Sequence, residues 1–192
     1  MGRIVVSQFV SLDGVVEDPD GSEATPAGGW VGRISDRPGV GKAKLDEARG
    51  ADALLLGRRS HEFFAARWAP RTGELADRLN GLPKYVVSST LTDTTWNGTT
   101  VLAGDAASAA EKLRGDVPGD IVVYASFQLV RTLLDHDLVD ELRLMVFPVV
   151  LGTGARLFGP SRATRPLRLV ANRTVDDSIA QLTYQPVRDA QR

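Results

Sequence analysis

Asp120-Ile121-Val122-Val123-Tyr124-Ala125-Ser126-Phe127-Gln128-Leu129-Val130-Arg131-Thr132-Leu133-Leu134 is the stretch on which the fold is decided. Ile121 to Tyr124 is a short apolar run rich in β-branched residues, the pattern of a strand buried on both faces in a parallel sheet. Ala125 and Ser126 make a small-residue turn, after which apolar side chains recur at 127, 130, 133 and 134. Spacings of three and four put these on one helical face. Ser126 stands where its hydroxyl can cap the helix by accepting from a first-turn N–H. Strand, turn and helix start together form an anion site, because free N–H groups and the helix dipole converge beyond the strand's carboxyl end. A strand–helix unit without any ligand reads the same way, so the weight rests on whether the chain repeats the arrangement.

It does. Ala53-Leu54-Leu55-Leu56 reads as another buried strand, followed by Gly57-Arg58-Arg59-Ser60 and a helical stretch from His61 to Ala66. Lys84-Tyr85-Val86-Val87 is a third strand, and it ends in Ser88-Ser89-Thr90. Ligands of open α/β sheets sit outside the carboxyl ends of the strands, so neighbouring ends can share one ligand. Guanidinium groups match phosphate bidentately and hydroxyls complete the shell. A ligand with well-separated phosphates, such as NADPH, suits three such ends. No Walker A lysine motif is present and no G-x-G-x-x-G follows a strand, which excludes P-loop and ordinary Rossmann readings.

Outward from these units, residues 3–9 read as the first strand, closed by Ser11-Leu12-Asp13-Gly14. Val15 to about Gly39 reads as a long loop, with a short helix at Trp30–Ile34. The stretch from Val40 to Arg49 is helix-like, with Ala43, Leu45 and Ala48 apolar and Lys42, Lys44, Asp46 and Glu47 exposed. Further elements are expected at Glu74–Leu79, Thr99–Leu102 and Ala106–Arg114. Asp140 to Val150 reads as a long strand meeting Pro148. Residues 167–175 and 178–185 read as an antiparallel hairpin with Asp176-Asp177 at its bend. The expected fold is a single α/β domain over residues 1–192: a three-layer, mostly parallel mixed sheet flanked by helices, with antiparallel C-terminal strands.

Composition narrows the function. A net charge of −1 over 192 residues argues against a nucleic-acid binder or a polybasic membrane protein. With no cysteine there is no disulfide, thiolate zinc site or cysteine nucleophile, and no apolar run approaches the ~20 residues of a membrane span. A cytoplasmic protein is expected, with no metal site. His61 and His136 are not assigned to catalysis.

Taken as a set, residues 53–64, Lys84–Thr90 and Ile121–Leu134 resemble the dihydrofolate reductase-like superfamily. Within it, the chain is similar to the C-terminal reductase domain of the riboflavin-biosynthesis deaminase–reductase. Ser11-Leu12-Asp13-Gly14, Val139-Asp140-Glu141-Leu142 and the stretch Pro148 to Gly154 belong to the same pattern. The resemblance implies NADPH lying across the strand ends. On it, Gly57, Arg58 and Ser60 match the Gly-Arg and hydroxyl positions after the second strand. Arg58 or Arg59, with Ser88, Ser89 and Thr90, match the surroundings of the adenosine 2′-phosphate. Ala125 and Ser126, followed by Phe127, stand where the family has Gly-Gly or Gly-Ser against the pyrophosphate. Alanine in place of glycine is one departure. The other concerns the carboxylate that dihydrofolate reductases carry on the helix before the second strand: here Asp46 and Glu47 do not match its position and read as a solvated face.

The resulting expectation is an NADPH-dependent reductase of a small nitrogen heterocycle, pteridine-, pyrimidine- or flavin-precursor-like. Asp13 is the expected proton donor, against its reading as a turn residue, and Trp30 the expected substrate-side lid, against plain core packing. The alternatives are an NADP- or flavin-binding sensor without turnover and a purely structural dimer module. A homodimer is expected, because the apolar surface of Leu142–Leu151 exceeds what one helix layer covers.

Overall fold

Six apolar, β-branched runs form a parallel array because each is followed by a chain segment that returns to the opposite end of the sheet. In the computed structural model, residues 1–34, 38–92, 94–159 and 164–188 are described. The elements are β1 (Arg3–Ser11), α1 (Pro38–Gly50), β2 (Ala51–Gly57), α2 (Arg58–Trp68), α3 (Glu74–Gly81), β3 (Lys84–Val87), β4 (Thr99–Leu102), α4 (Ala106–Asp116), β5 (Asp120–Tyr124), α5 (Phe127–Asp135), β6 (Glu141–Phe147), β7 (Leu167–Val175) and β8 (Ile179–Pro186). They pair in the order β4-β3-β2-β5-β1-β6-β8-β7. The pairs from β4 to β6 are parallel, and β8 lies antiparallel to both β6 and β7.

The sheet separates two helical layers. Ile4, Val6, Ala53, Leu55, Ile121 and Val123 face α4 and α5, meeting Ala110, Leu113, Val130 and Leu133. Val5, Leu54, Leu56 and Val122 face α1, α2 and α3, meeting Ala48, Ala65 and Leu79. Ile121, Val122 and Val123 of β5 are fully buried, as expected for a central strand. Each such side chain contributes roughly 1.5–3 kcal/mol on burial.

Several expectations change at this level. Residues 30–34 form successive turns, with Ile34 N–H donating to the Val31 carbonyl, and not a helix. The long loop is instead organised by Asp18, whose buried carboxylate accepts from the N–H groups of Glu23 and Thr25 and from the Thr25 hydroxyl at 2.9–3.0 Å. Its segment at 35–37 lies outside the described residues. β6 ends at Phe147 and lies between β1 and β8, with Leu142, Leu144, Met145 and Phe147 all buried. Most of the apolar surface expected of it is thus covered within the chain, although Val150 beyond its end is exposed. Other exposed apolar side chains include Leu169 and Val170 on the edge strand β7.

Two long-range ties fix α1. Its first turn donates to the hairpin-bend carboxylate: Gly39 N–H reaches Asp176 Oδ1 at 3.0 Å and Val40 N–H reaches Oδ2 at 3.1 Å. A Cβ on Gly39 would stand 2.5 Å from that carboxylate, so only glycine allows the approach. At the other end of the sheet, fully buried Lys84 donates to the Asn80 and Asn97 carbonyls (2.5 and 2.9 Å) and lies 4.6 Å from the Trp96 ring centroid.

Candidate functional site

The sheet order places β3, β2 and β5 side by side, so the three strand tips read from the sequence are neighbours. Gly57 pairs with Val87, which sets Ser88 next to the Arg58 end of β2. Two hydrogen bonds tie the β2 and β5 tips: Gly57 N–H donates to Ser126 Oγ at 3.0 Å, and Ser126 N–H donates to Ser60 Oγ at 2.9 Å. Gln8 on β1 holds the turn from the other side, its Nε2 donating to the Ala125 carbonyl.

This use of Ser126 differs from the expected cap. The residue is left-handed (φ 53°, ψ 38°), so its hydroxyl turns back to β2 and makes no capping bond to α5. Among the described residues no side-chain hydrogen bond caps the first turn of α5, so its N–H groups remain open beyond the strand end. Ala125 is also left-handed, at φ 47°. Two consecutive non-glycine residues in that region each cost about 1–2 kcal/mol. Such φ values are those glycine adopts most readily, and Ala125 remains exposed at the turn.

The other predicted cofactor residues divide by how free they are. Arg58 is engaged by Glu62 one turn along α2, with contacts of 2.9 and 3.3 Å. Arg59 is exposed and has no hydrogen bond or ion pair among the described residues. Ser60 accepts from Ser126 N–H and keeps its own proton for a further acceptor. Ser88 Oγ accepts from the N–H groups of Thr90 and Leu91 (3.1 and 3.0 Å), shaping a local turn that leaves Ser89 and Thr90 exposed. The half-buried Phe127 ring lies 5.2 Å from the Arg131 guanidinium, while its backbone opens the helix. Gly57 is extended, and a Cβ there would meet the protein only at 3.8 Å. Neither backbone nor packing demands glycine here.

Asp13 and Trp30 take roles other than those expected of them. Asp13 accepts from Leu151 N–H (3.0 Å), Gly152 N–H (2.9 Å) and the Ser11 hydroxyl (2.8 Å). These donors, Leu151 foremost, lower its pKa to about 2, so at neutral pH it is an anion anchoring the 148–154 loop and a poor proton donor. Trp30 is 1% exposed; its indole N–H donates to the Glu17 carbonyl (3.0 Å) and its ring meets Phe147 edge-on at 5.4 Å. It packs as core.

The sequence reading also misplaced two charged residues. Lys44 and Glu47 lie on the sheet side of α1, with side chains only 16% and 6% exposed. The spacing of Val40, Ala43, Lys44, Glu47 and Ala48 was the available signal, since it is the three–four repeat of an inward helical stripe. Lys44 Nζ donates to Ser7 Oγ (2.5 Å) and to Glu47 Oε1 (3.1 Å), and lies 5.0 and 5.1 Å from the ring centroids of Phe9 and Tyr124. Arg143 meets the other Glu47 oxygen at 3.9 Å. Burial, reinforced by the Glu47 carboxylate, pushes the Tyr124 phenol well above its ordinary pKa. Asp46, by contrast, is on the solvated side and pairs with Lys42. Among the described residues, no group of three His, Cys, Asp or Glu side chains is placed to hold a metal, and no helix is long and apolar enough to cross a membrane.

Comparison with known proteins follows the same geometry. The RibD C-terminal domain profile matches residues 3–180. The chain is 29% identical to the uncharacterized protein YyaP of Bacillus subtilis (strain 168) over 188 residues, 95% of this chain and 94% of that one. Among solved structures, it is similar to a protein assigned to riboflavin biosynthesis from Shewanella sp. PV-4, with a TM-score of 0.76 and 21% identity, covering 97% and 99% of the two chains. It is also similar to the dihydrofolate reductase of Enterococcus faecalis complexed with NADP(H) and RAB-propyl, with a TM-score of 0.63 and 15% identity over 97% of each chain. The mixed sheet with its antiparallel C-terminal strands is thus a dihydrofolate reductase-like fold.

Proposed function

Because the chain belongs to the RibD C-terminal domain family, we propose that it is an NADPH-dependent reductase acting on a C=N or C=O bond of a small nitrogen heterocycle, pteridine-, pyrimidine- or flavin-precursor-like. The observation that carries this reading is the adjacency of the β3, β2 and β5 tips, with Ser126 hydrogen-bonded to both Gly57 and Ser60. One dinucleotide phosphate would meet the open first turn of α5 beyond Ala125, Ser126 and Phe127, where the helix dipole favours negative charge. The free Arg59 guanidinium, with Ser88, Ser89 and Thr90, suits a second phosphate such as that on the adenosine 2′-oxygen. Arg58 supports the same site more weakly, since Glu62 shares its charge.

NADPH supplies the hydride when bound. The chain's own contribution is orientation: aligning two reactants in a near-attack geometry can lower a barrier by about 7 kcal/mol or more. The substrate side is the space beneath α1, where Phe9 and Val40 are only partly buried. Asp13 serves here as the anchor of the loop that closes the β1 end, holding residues 151 and 152 in place. The protein is cytoplasmic and homodimeric in this reading, and sedimentation velocity tests the second point.

Absorbance at 340 nm, followed with NADPH and a panel of oxidised pteridines, pyrimidines and flavin precursors, tests the activity. Fluorescence titration of NADPH alone tests the site. Oxidation with saturable binding is the expected result. Saturable binding without oxidation of any panel member replaces the reductase with an NADP-binding sensor, and no binding at millimolar cofactor removes both.

A further inference from the structure

β1 carries an amide where its neighbours are apolar. By the two-residue period of a strand, Gln8 shares a face with Ile4, Val6 and Val10, and all four are 5% exposed or less. Across the ladder it stands opposite Leu144 of β6, which is also buried. An amide without a partner would be costly there. Gln8 has one, since its Nε2 donates to the carbonyl of Ala125. A carbonyl can only accept, which fixes the amide nitrogen as the group that faces it. The pairing of β1 with β5 ends at Ser7 and Tyr124, so this side chain reaches the first residue past the ladder. That residue opens a turn in need of holding. Ala125 and Ser126 are left-handed, at φ 47° and 53°, and such conformations persist only where the surroundings dictate them. Gly57 and Ser60 fix Ser126 from the β2 side. Among the described residues, Gln8 is the one side chain hydrogen-bonded to Ala125. At 3% exposure it has no surface to offer a ligand, so its effect on one passes through the turn.

Resting on the cofactor reading given above, we propose that Gln8 is a positioning residue for the dinucleotide. Its amide holds the Ala125–Ser126 turn in the left-handed path that leaves the first N–H groups of α5 open to a phosphate. The side chain adds a last rung to the ladder while the backbone of β5 departs from the sheet. The rival account is that Gln8 only fills space in β1, in which case any side chain of its length serves equally well. Chemistry separates the two, because the turn needs a donor and packing needs only volume. A carboxyl put at this position would meet few charges. Val6, Val10 and Leu144 carry none, and Lys44 bonds Ser7 on the other face of β1. The charged side chains of α5 are engaged elsewhere, Arg131 with the carbonyls of Arg156 and Leu157 and Asp135 with Arg165.

Calorimetric titration with NADP+, which outlasts NADPH in acid, tests this on the wild-type protein, Gln8→Met and Gln8→Glu. Methionine keeps the length and loses the donor, so affinity should fall roughly three- to tenfold at any pH, as loss of one hydrogen bond implies. Glutamic acid donates while protonated and cannot once ionised. Burial raises its pKa, so Gln8→Glu should bind like wild type at about pH 5 and no better than Gln8→Met at about pH 9. Taking the ratio to wild type at each pH removes the titration of the nucleotide's own 2′-phosphate. A role in packing alone would not produce that profile. A Gln8→Met protein that binds within about twofold of wild type overturns the proposal, as does a Gln8→Glu ratio that stays level between acid and alkali. If circular dichroism finds Gln8→Met unfolded, the Gln8→Glu ratio decides by itself. The two levels fail differently. A wild-type protein that takes up no NADP+ removes the cofactor site and the role of Gln8 together, whereas wild-type binding with unmoved variants removes the role of Gln8 alone.

Discussion

Replacing Ala125 by glycine should stabilise the protein, and replacing its neighbour Ser126 by glycine should not. Both residues are left-handed, at φ 47° and 53°. Relief of that conformation is worth about 1–2 kcal/mol at each. Glycine also gives the unfolded chain more freedom, which costs about 0.4–1 kcal/mol. For Ala125→Gly the remainder is a gain of roughly 0.5–1 kcal/mol, since its carbonyl bond from Gln8 belongs to the backbone and survives. For Ser126→Gly the same gain is offset by loss of the acceptor for Gly57 N–H, about 0.5–1.5 kcal/mol, so the net change is near zero or unfavourable. Urea denaturation with a two-state fit measures both midpoints. For a chain of this length the Ala125→Gly gain corresponds to a melting temperature about 2 °C higher. An Ala125→Gly protein destabilised by about 1 kcal/mol or more would show that the turn is not strained as described.

Three further outcomes follow from the same geometry. Arg59→Ala should weaken NADPH binding roughly tenfold or more while leaving NADH binding nearly unchanged, and Arg58→Ala should do so less; paired fluorescence titrations with the two nucleotides measure this. Asp13 has a depressed pKa of about 2 against an ordinary value of 3.8, so its contribution is present above pH 3.8 and is lost as the pH falls towards 2. Asp13→Asn should remove that acid-side loss and speed amide exchange at residues 151 and 152, as mass-spectrometric hydrogen exchange would record. Burial lowers the pKa of Lys84 from 10.5 to about 8, so the unfolded chain binds the extra proton between those values and stability rises with pH across that window. Lys84→Met should flatten the rise in denaturation midpoints measured from pH 8 to 10.5.

The sheet was legible because its strands are apolar runs bounded by turn residues, a pattern that needs no tertiary knowledge. Ile121–Tyr124, Ala53–Leu56 and Lys84–Val87 became neighbouring strands, and Asp176-Asp177 became the bend between β7 and β8. The adjacency of the strand tips expected to hold the cofactor was legible, but not how each of their residues is engaged. Sequence cannot show that Arg58 is paired with Glu62 while Arg59 is free, because both sit in the same exposed first turn of α2. Asp13 and Trp30 misled for a common reason: a turn aspartate and a loop tryptophan suggest chemistry only if their hydrogen-bonding groups are unspent. Here Leu151, Gly152 and the Glu17 carbonyl spend them. Lys44 and Glu47 carry charges that suggest solvent, yet their positions on the stripe with Val40 and Ala43 turn them inward.

The clasp between Asp176 and the first turn of α1 bears on the order in which a newly made chain can finish folding. α1 leaves the ribosome more than a hundred residues before the carboxylate that satisfies its leading N–H groups. Until β7 and β8 have emerged and closed their bend, the leading N–H groups of that helix lack this acceptor. Docking of α1 is therefore deferred until β7 and β8 have been made, when their bend arrives to pin a segment translated long before.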